Sequence, residues 1–213
     1  MKILRHESIT RRELLDALKQ TRLRGHGQPL LYEHAELSLE PAFDPERLAP
    51  AQNYVLREDF ERIEALYHTF QEQGIDIFAL DGGLRFWFQD QETGEEEGPV
   101  PLIPPVVEES REPDGNTVLI INDGMHRIHA ANRLGKKINI VLARNVPLEY
   151  PYYAYAHPEG WHNVVELEDL PDGFIKKQYR DPENYKALFR DFNGVFPGIQ
   201  KQRKKTNPEF LKA

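Results

Sequence analysis

The chain has 213 residues, 39% of them apolar and 29% charged, with a net charge of −8 and no cysteine. That length suits one well-buried core with additions, and the missing cysteines exclude disulfides, thiolate nucleophiles and Cys-ligated metal centres, so any chemistry runs on oxygen and nitrogen groups. The negative charge opposes loose binding to nucleic acid, no run reaches the roughly 18 apolar residues of a membrane span, and "MKILRHESITRREL" lacks the apolar core of a secretory signal, so a cytoplasmic protein is expected.

In chain order, residues 10–23 predict a helix: Thr10 and Glu13 form a capping-box pattern, and Leu14, Leu15, Leu18 and Leu23 recur near helical spacing. Glycines and prolines then break the pattern, leaving a strand near Leu30 to Tyr32 followed by loop. Residues 59–73 predict the clearest helix, with Phe60, Ile63, Leu66, Tyr67 and Phe70 on one face, Asp59 as its cap and Gly74 closing it. The runs "IDIFAL" and "LRFWFQ" flanking "DGG" predict a hairpin, and "DQETGEEEG" an exposed acidic loop. A second hairpin is expected from "VPLIPPVVEES" and "TVLIIN", its return strand buried on both faces. Ile128, Ala131 and Leu134 then mark a short helix ended by Gly135, and "INIVLARNV" a further strand. From about Tyr150 the chain is aromatic-rich, with a helix expected where Asp181 caps, Pro182 opens, and Tyr185, Leu188, Phe189 and Phe192 share a stripe. The basic run "KQRKK", Lys201 to Lys205, reads as a solvated end.

The informative stretch is "LIINDGMHRIHAANRLG", where a strand ending in "NDG" feeds directly into a helix. Such a junction presents unpaired backbone N–H groups with the helix dipole behind them, which is an anion site. Gly124 allows close approach, Arg127 can fork onto phosphate oxygens, and His126 can donate a further hydrogen bond. The simpler reading makes Asp123 a helix cap and His126 and Arg127 members of surface pairs.

The unit "DGMHRIHAANRLG", preceded by "PPVVEES" and "TVLIIN" and followed by "INIVLARNV", resembles the ParB/sulfiredoxin superfamily over residues 48–146, the helix at 59–73 included. The resemblance implies an α+β fold with a mixed sheet and helices. It divides the chain into an N-terminal helical extension (1–47), a nucleotide-binding core (48–146) and a C-terminal extension packed on that core (147–213). It also implies that Asp123, Gly124, Met125, His126 and Arg127 hold nucleotide phosphates. Met125 stands where sulfiredoxins carry a cysteine, so sulfinic acid reduction in that form is excluded. The segment after 146 shows no obvious pair of consecutive helices suited to a helix-turn-helix, which argues against DNA as partner. The branch similar to free serine kinases implies ATP or ADP, with CTP as a further candidate, Mg²⁺ held by the phosphates and Asp123, and a small hydroxylated metabolite as substrate. There Asp123 and His126 join a carboxylate base at Glu58, although the residues themselves leave Glu58, Asp59 and Glu61 open. The alternative is a noncatalytic nucleotide-gated adaptor or DNA-associated regulator. His126 and His129, three apart on one helix, and His157 and His162 have spacings compatible with metal ligation, and "PYYAYAHPEGW" reads first as irregular core.

Overall fold

The capping box forms as the sequence demands. Thr10 Oγ1 accepts from the Glu13 N–H at 3.2 Å while the Glu13 carboxylate accepts from the Thr10 N–H at 2.8 Å, opening α1 (Arg11–Leu18). The helix buries Leu14 and Leu18 and stops there, short of residue 23, because Leu23 leaves the helical path to bridge Arg190. These features come from a computed structural model that describes residues 2–90 and 93–199. The basic run Lys201 to Lys205 lies outside the described residues.

Before α1 runs β1 (Lys2–Thr10), and after it β2 (Glu36–Phe43) and β3 (Tyr54–Leu56), which leads into α2 (Arg57–Gln71). Then come β4 (Gly82–Gln89), β5 (Glu96–Leu102), β6 (Val106–Arg111) and β7 (Thr117–Ile121). The motif helix α3 (Met125–Arg133), β8 (Ile138–Arg144), β9 (Val165–Leu167) and the one-turn α4 (Phe192–Val195) complete the order. The architecture is α+β. One sheet runs β1-β4-β5, a second β2-β8-β6-β7, and β3 pairs parallel with β9. Ile128, Ala130 and Ala131 of α3 pack with Leu66, Tyr67 and Phe70 of α2 in one apolar cluster. Leu14 and Leu18 of α1 pack with Ile103, Val106 and Val141 in another.

The hairpin of β6 and β7 forms with Val107 opposite Ile121, and β8 runs parallel to β6. β7 is an edge strand, so only its end, Ile120 and Ile121, is buried, while Thr117 is exposed; it is not covered on both faces. The hairpin expected around "DGG" does not exist. Residues 75–81 form turns, with the Phe78 N–H bonded to Asp76 Oδ1, and β4 pairs instead with β1 and β5. Gly82 lies flat against β1, where a Cβ would sit 2.2 Å from the Ile9 carbonyl oxygen. Part of the acidic stretch is strand β5, which folds back on β4, and the loop expected over 36–43 is β2, antiparallel to β8 and ordered by that partner far away in sequence.

The helix expected from Asp181 is also overturned. Asp181 Oδ1 does accept from the N–H groups of Glu183 and Asn184, as a cap would, but only a single 3₁₀ turn follows at Tyr185–Leu188. The carbonyls of Ala187 and Phe189 accept from Gly25 and Arg24, and Asp191 donates to Arg22, so this backbone spends its bonds on the segment after α1. Gly25 makes the approach possible, since a Cβ there would meet Ala187 Cβ at 2.3 Å. Among the described residues no helix is long and apolar enough to cross a membrane.

Candidate functional site

β7 delivers the motif turn. The N–H groups of Asn122 and Asp123 both donate to the Val106 carbonyl, and Gly124, at φ 88°, swings the chain into α3. Glycine is required twice over: the conformation is left-handed, and a Cβ would lie 2.8 Å from Pro105. Among the described residues no side chain caps α3, so its first N–H groups have neither an intrahelical acceptor nor a capping oxygen there, and the positive end of the helix dipole lies at the turn. Asp123 is therefore not the cap. Its Oδ2 accepts from Arg127 Nη2 at 2.7 Å, and the other arm of Arg127 donates to the Ile103 carbonyl. Arg127 is buried, and these contacts staple the turn to residues 103–106.

His126 faces the first turn of α2, where its Nε2 stands 3.6 Å from Asp59 Oδ2, beyond hydrogen-bond range. That Nε2 is buried and has no hydrogen-bond partner among the described residues. Burial lowers the His126 pKa below the ordinary imidazole value, against the opposing pull of Asp59 and Asp123. A neutral imidazole with an open nitrogen results. α2 begins at Arg57 without a side-chain cap, so Asp59 is a first-turn carboxylate and not the cap; it is the one the fold brings to the motif. Glu58 turns to Arg62 in an exposed i,i+4 pair. Met125 packs its side chain on the apolar cluster between α2 and α3.

One turn further on, His129 Nε2 lies 3.3 Å from Glu166 Oε1, which also accepts from Arg133 at 2.6 Å. His129 stands edge-on to Phe60 and beside Trp161, and burial lowers its pKa too. Glu166 arrives through the pairing of β9 with β3, beside Val55. The two motif histidines thus have separate carboxylates, and no group of three His, Cys, Asp or Glu fit to hold a metal occurs among the described residues. His157 and His162 line a separate groove of about 1180 Å³ with Arg47, Asn132, Tyr155 and Trp161, a groove that does not include the motif turn.

On the other side of the turn, Asn122 enters a buried network that the sequence did not disclose. Its Nδ2 donates to Glu108 Oε1 at 2.6 Å and to the Tyr32 hydroxyl at 2.9 Å, while that hydroxyl donates to Glu108 at 2.5 Å. Arg190 forks onto both Glu108 oxygens at 2.8 and 2.7 Å and donates to the carbonyls of Leu188, Pro151 and Tyr150. Burial works against the Arg190 charge, but Glu108 outweighs it and holds the pKa above the usual value; burial also raises that of Tyr32. A glutamate inside the apolar run "PPVVEES" was the available signal, since a carboxylate on a buried strand needs a cation from elsewhere.

The strand, turn and helix, the flanking α2 and the mixed sheet define the class of protein. The model of the ParB CE domain family matches residues 13–165, from α1 to the start of β9, and the chain belongs to that family. The match takes in β2, β3, β9 at its first residue and both motif-flanking helices, so it is wider than the resemblance over 48–146. Comparison with curated proteins and with solved structures finds no match.

Proposed function

We propose that the N-terminus of α3 binds the phosphates of a nucleotide, ATP or ADP, with CTP as the further candidate. The observation that carries this reading is the buried, unpartnered Nε2 of His126, a residue in the uncapped first turn of α3: a buried polar atom without a partner is costly, and a phosphate oxygen supplies the acceptor that a protonated Nε2 needs. In this reading Arg127 holds the turn from behind, Asp123 anchors Arg127, and His126 and the backbone N–H groups of Met125 and His126 meet the ligand. Asp123 would help hold a Mg²⁺ brought with the nucleotide, and that ion would supply neutralisation of the phosphate charge.

The kinase reading adds a small hydroxylated metabolite. Its hydroxyl oxygen forms a bond to the terminal phosphorus, the bond from that phosphorus to the leaving nucleotide breaks, and the hydroxyl proton passes to a carboxylate. Asp59, which faces His126, suits that role better than the exposed Glu58. The second reading, a noncatalytic nucleotide-gated adaptor, draws on Asn122: the residue next to the turn is tied to Arg190 through Glu108, so ligand strain at the turn can reach the C-terminal third. With a net charge of −8, a DNA-associated version of that adaptor is disfavoured.

Thermal stability measured against ATP, ADP, CTP and GTP, each with Mg²⁺, tests the proposal, because a ligand that binds only the folded state raises Tm by mass action. A selective rise that disappears in His126→Ala is expected; no rise with any nucleotide sinks the phosphate reading. Turnover of hydroxylated metabolites that is lost in Asp59→Asn while binding persists separates kinase from adaptor.

A further inference from the structure

β1 is nine residues long, is exposed at seven of its positions, and occupies the edge of the β1-β4-β5 sheet with no strand on its outer side among the described residues. The opposite edge, β5, contains Pro99 and Pro101, which lack N–H donors and blunt it against further pairing. β1 has no proline, and its one irregularity falls near its start, between Ile3 and Arg5. An edge of this kind is a template for another strand unless its sequence forbids one.

The sequence here selects a partner. Arg5 and Glu7 share the solvent face of the sheet, opposite Trp87 and Arg85 of β4; both side chains are more than half exposed, and within one chain Arg5 lies 3.6 Å from Glu7 and 3.3 Å from Glu96. If two copies of β1 pair antiparallel about a two-fold axis at His6, Arg5 of each copy stands opposite Glu7 of the other, and the irregularity between Ile3 and Arg5 shifts the register beyond that pair. Centring the axis on Arg5 or on Glu7 instead sets like charges face to face. Leu4, a large apolar side chain left exposed at 41%, sits at that irregularity.

We infer that this chain forms a homodimer through β1, joining two three-stranded sheets into one of six strands about a two-fold axis at His6. A two-fold axis makes the contact self-complementary, so each favourable Arg5–Glu7 pair occurs twice. The pairing uses backbone groups that β4 leaves open and adds cross-strand ionic pairs that set the register.

Light scattering coupled to size exclusion on the full chain tests it, with circular dichroism to confirm folding. Dimers are expected for the wild type. Arg5→Glu and Glu7→Arg each place like charges opposite one another and should weaken the dimer on the order of tenfold or more. An equimolar mixture of the two variants should regain dimers, because the two glutamates on β1 of one copy then face the two arginines on β1 of the other. A wild type that stays monomeric into the millimolar range overturns the inference. So do single variants that dimerise like the wild type, or folded variants that fail to recover on mixing.

Discussion

Two polar clusters meet at the same turn and differ in one respect. On the Asn122 side, Glu108 and Arg190 are both buried, and each of the five guanidinium N–H groups has an acceptor: two carboxylate oxygens and three carbonyls. On the α3 side, the buried Nε2 of His126 has no partner among the described residues, and the nearest carboxylate oxygen stands too far away to bond. Saturated buried polarity fixes one arrangement of the chain. Unsaturated buried polarity at a helix N-terminus carries a cost that a bound anion removes. The contrast separates a structural network from a binding site although both contain the same kinds of groups.

The sharpest way to break the contrast is at Glu108. Its removal in Glu108→Ala leaves Arg190 as an uncompensated buried cation and deprives Tyr32 and Asn122 of their acceptor, so a loss of about 3–5 kcal/mol of stability is expected in chemical denaturation. A cost near that of a surface substitution would mean the cluster does not hold the C-terminal third in place. Next in size is Arg127. Arg127→Ala orphans the Asp123 carboxylate and the Ile103 carbonyl, with an expected cost of about 2–3 kcal/mol in the absence of any ligand. If Arg127 instead served chiefly as an outward phosphate fork, the ligand-free protein would hardly notice its loss.

The difference between the two clusters also explains what the sequence made legible. The motif site is local: "NDGMHR" holds the turn, the glycine and the helix start within a few residues, and α2 carries its own apolar stripe, so strand, turn and helix stand where pattern and turn chemistry put them. The network is not local. Tyr32, Glu108, Asn122 and Arg190 lie far apart in sequence, and Arg190 sits in a segment whose amphipathic stripe predicts a helix; tertiary pairing with residues 22–25 cancels that propensity. The same limit hid β1 and β2, whose alternation is weak and whose order comes from distant partners, and it hid Glu166, which reaches His129 only because β9 finds β3. Among the carboxylates near residue 58, sequence offered three equals; Glu58 and Asp59 both pair with Arg62, and the helical turn brings Asp59 to His126 as well.

The smallest effect concerns His126 and shows best against pH. Burial lowers the folded-state pKa of His126 and of His129, so as pH falls the unfolded chain takes up these protons first. Stability is therefore greatest above the ordinary imidazole range and declines as pH drops through it, with a limiting slope of about 1.4 kcal/mol per pH unit for each histidine. The groups facing His126 are Asp59, Asp123, Arg127 and His129, and the two carboxylates soften the effect without reversing it. His126→Ala has no hydrogen bond of Nε2 to lose, so stability near neutral pH should change by less than about 1 kcal/mol, while the slope at mildly acid pH flattens by the share of one proton. A phosphate at the helix N-terminus acts in the opposite sense, since its charge favours the imidazolium. Nucleotide binding should then take up protons near neutral pH and tighten as pH falls, which calorimetry in buffers of different ionisation enthalpy reads directly. Proton uptake that persists unchanged in His126→Ala would move the proton to another group and take from His126 its place at the phosphate.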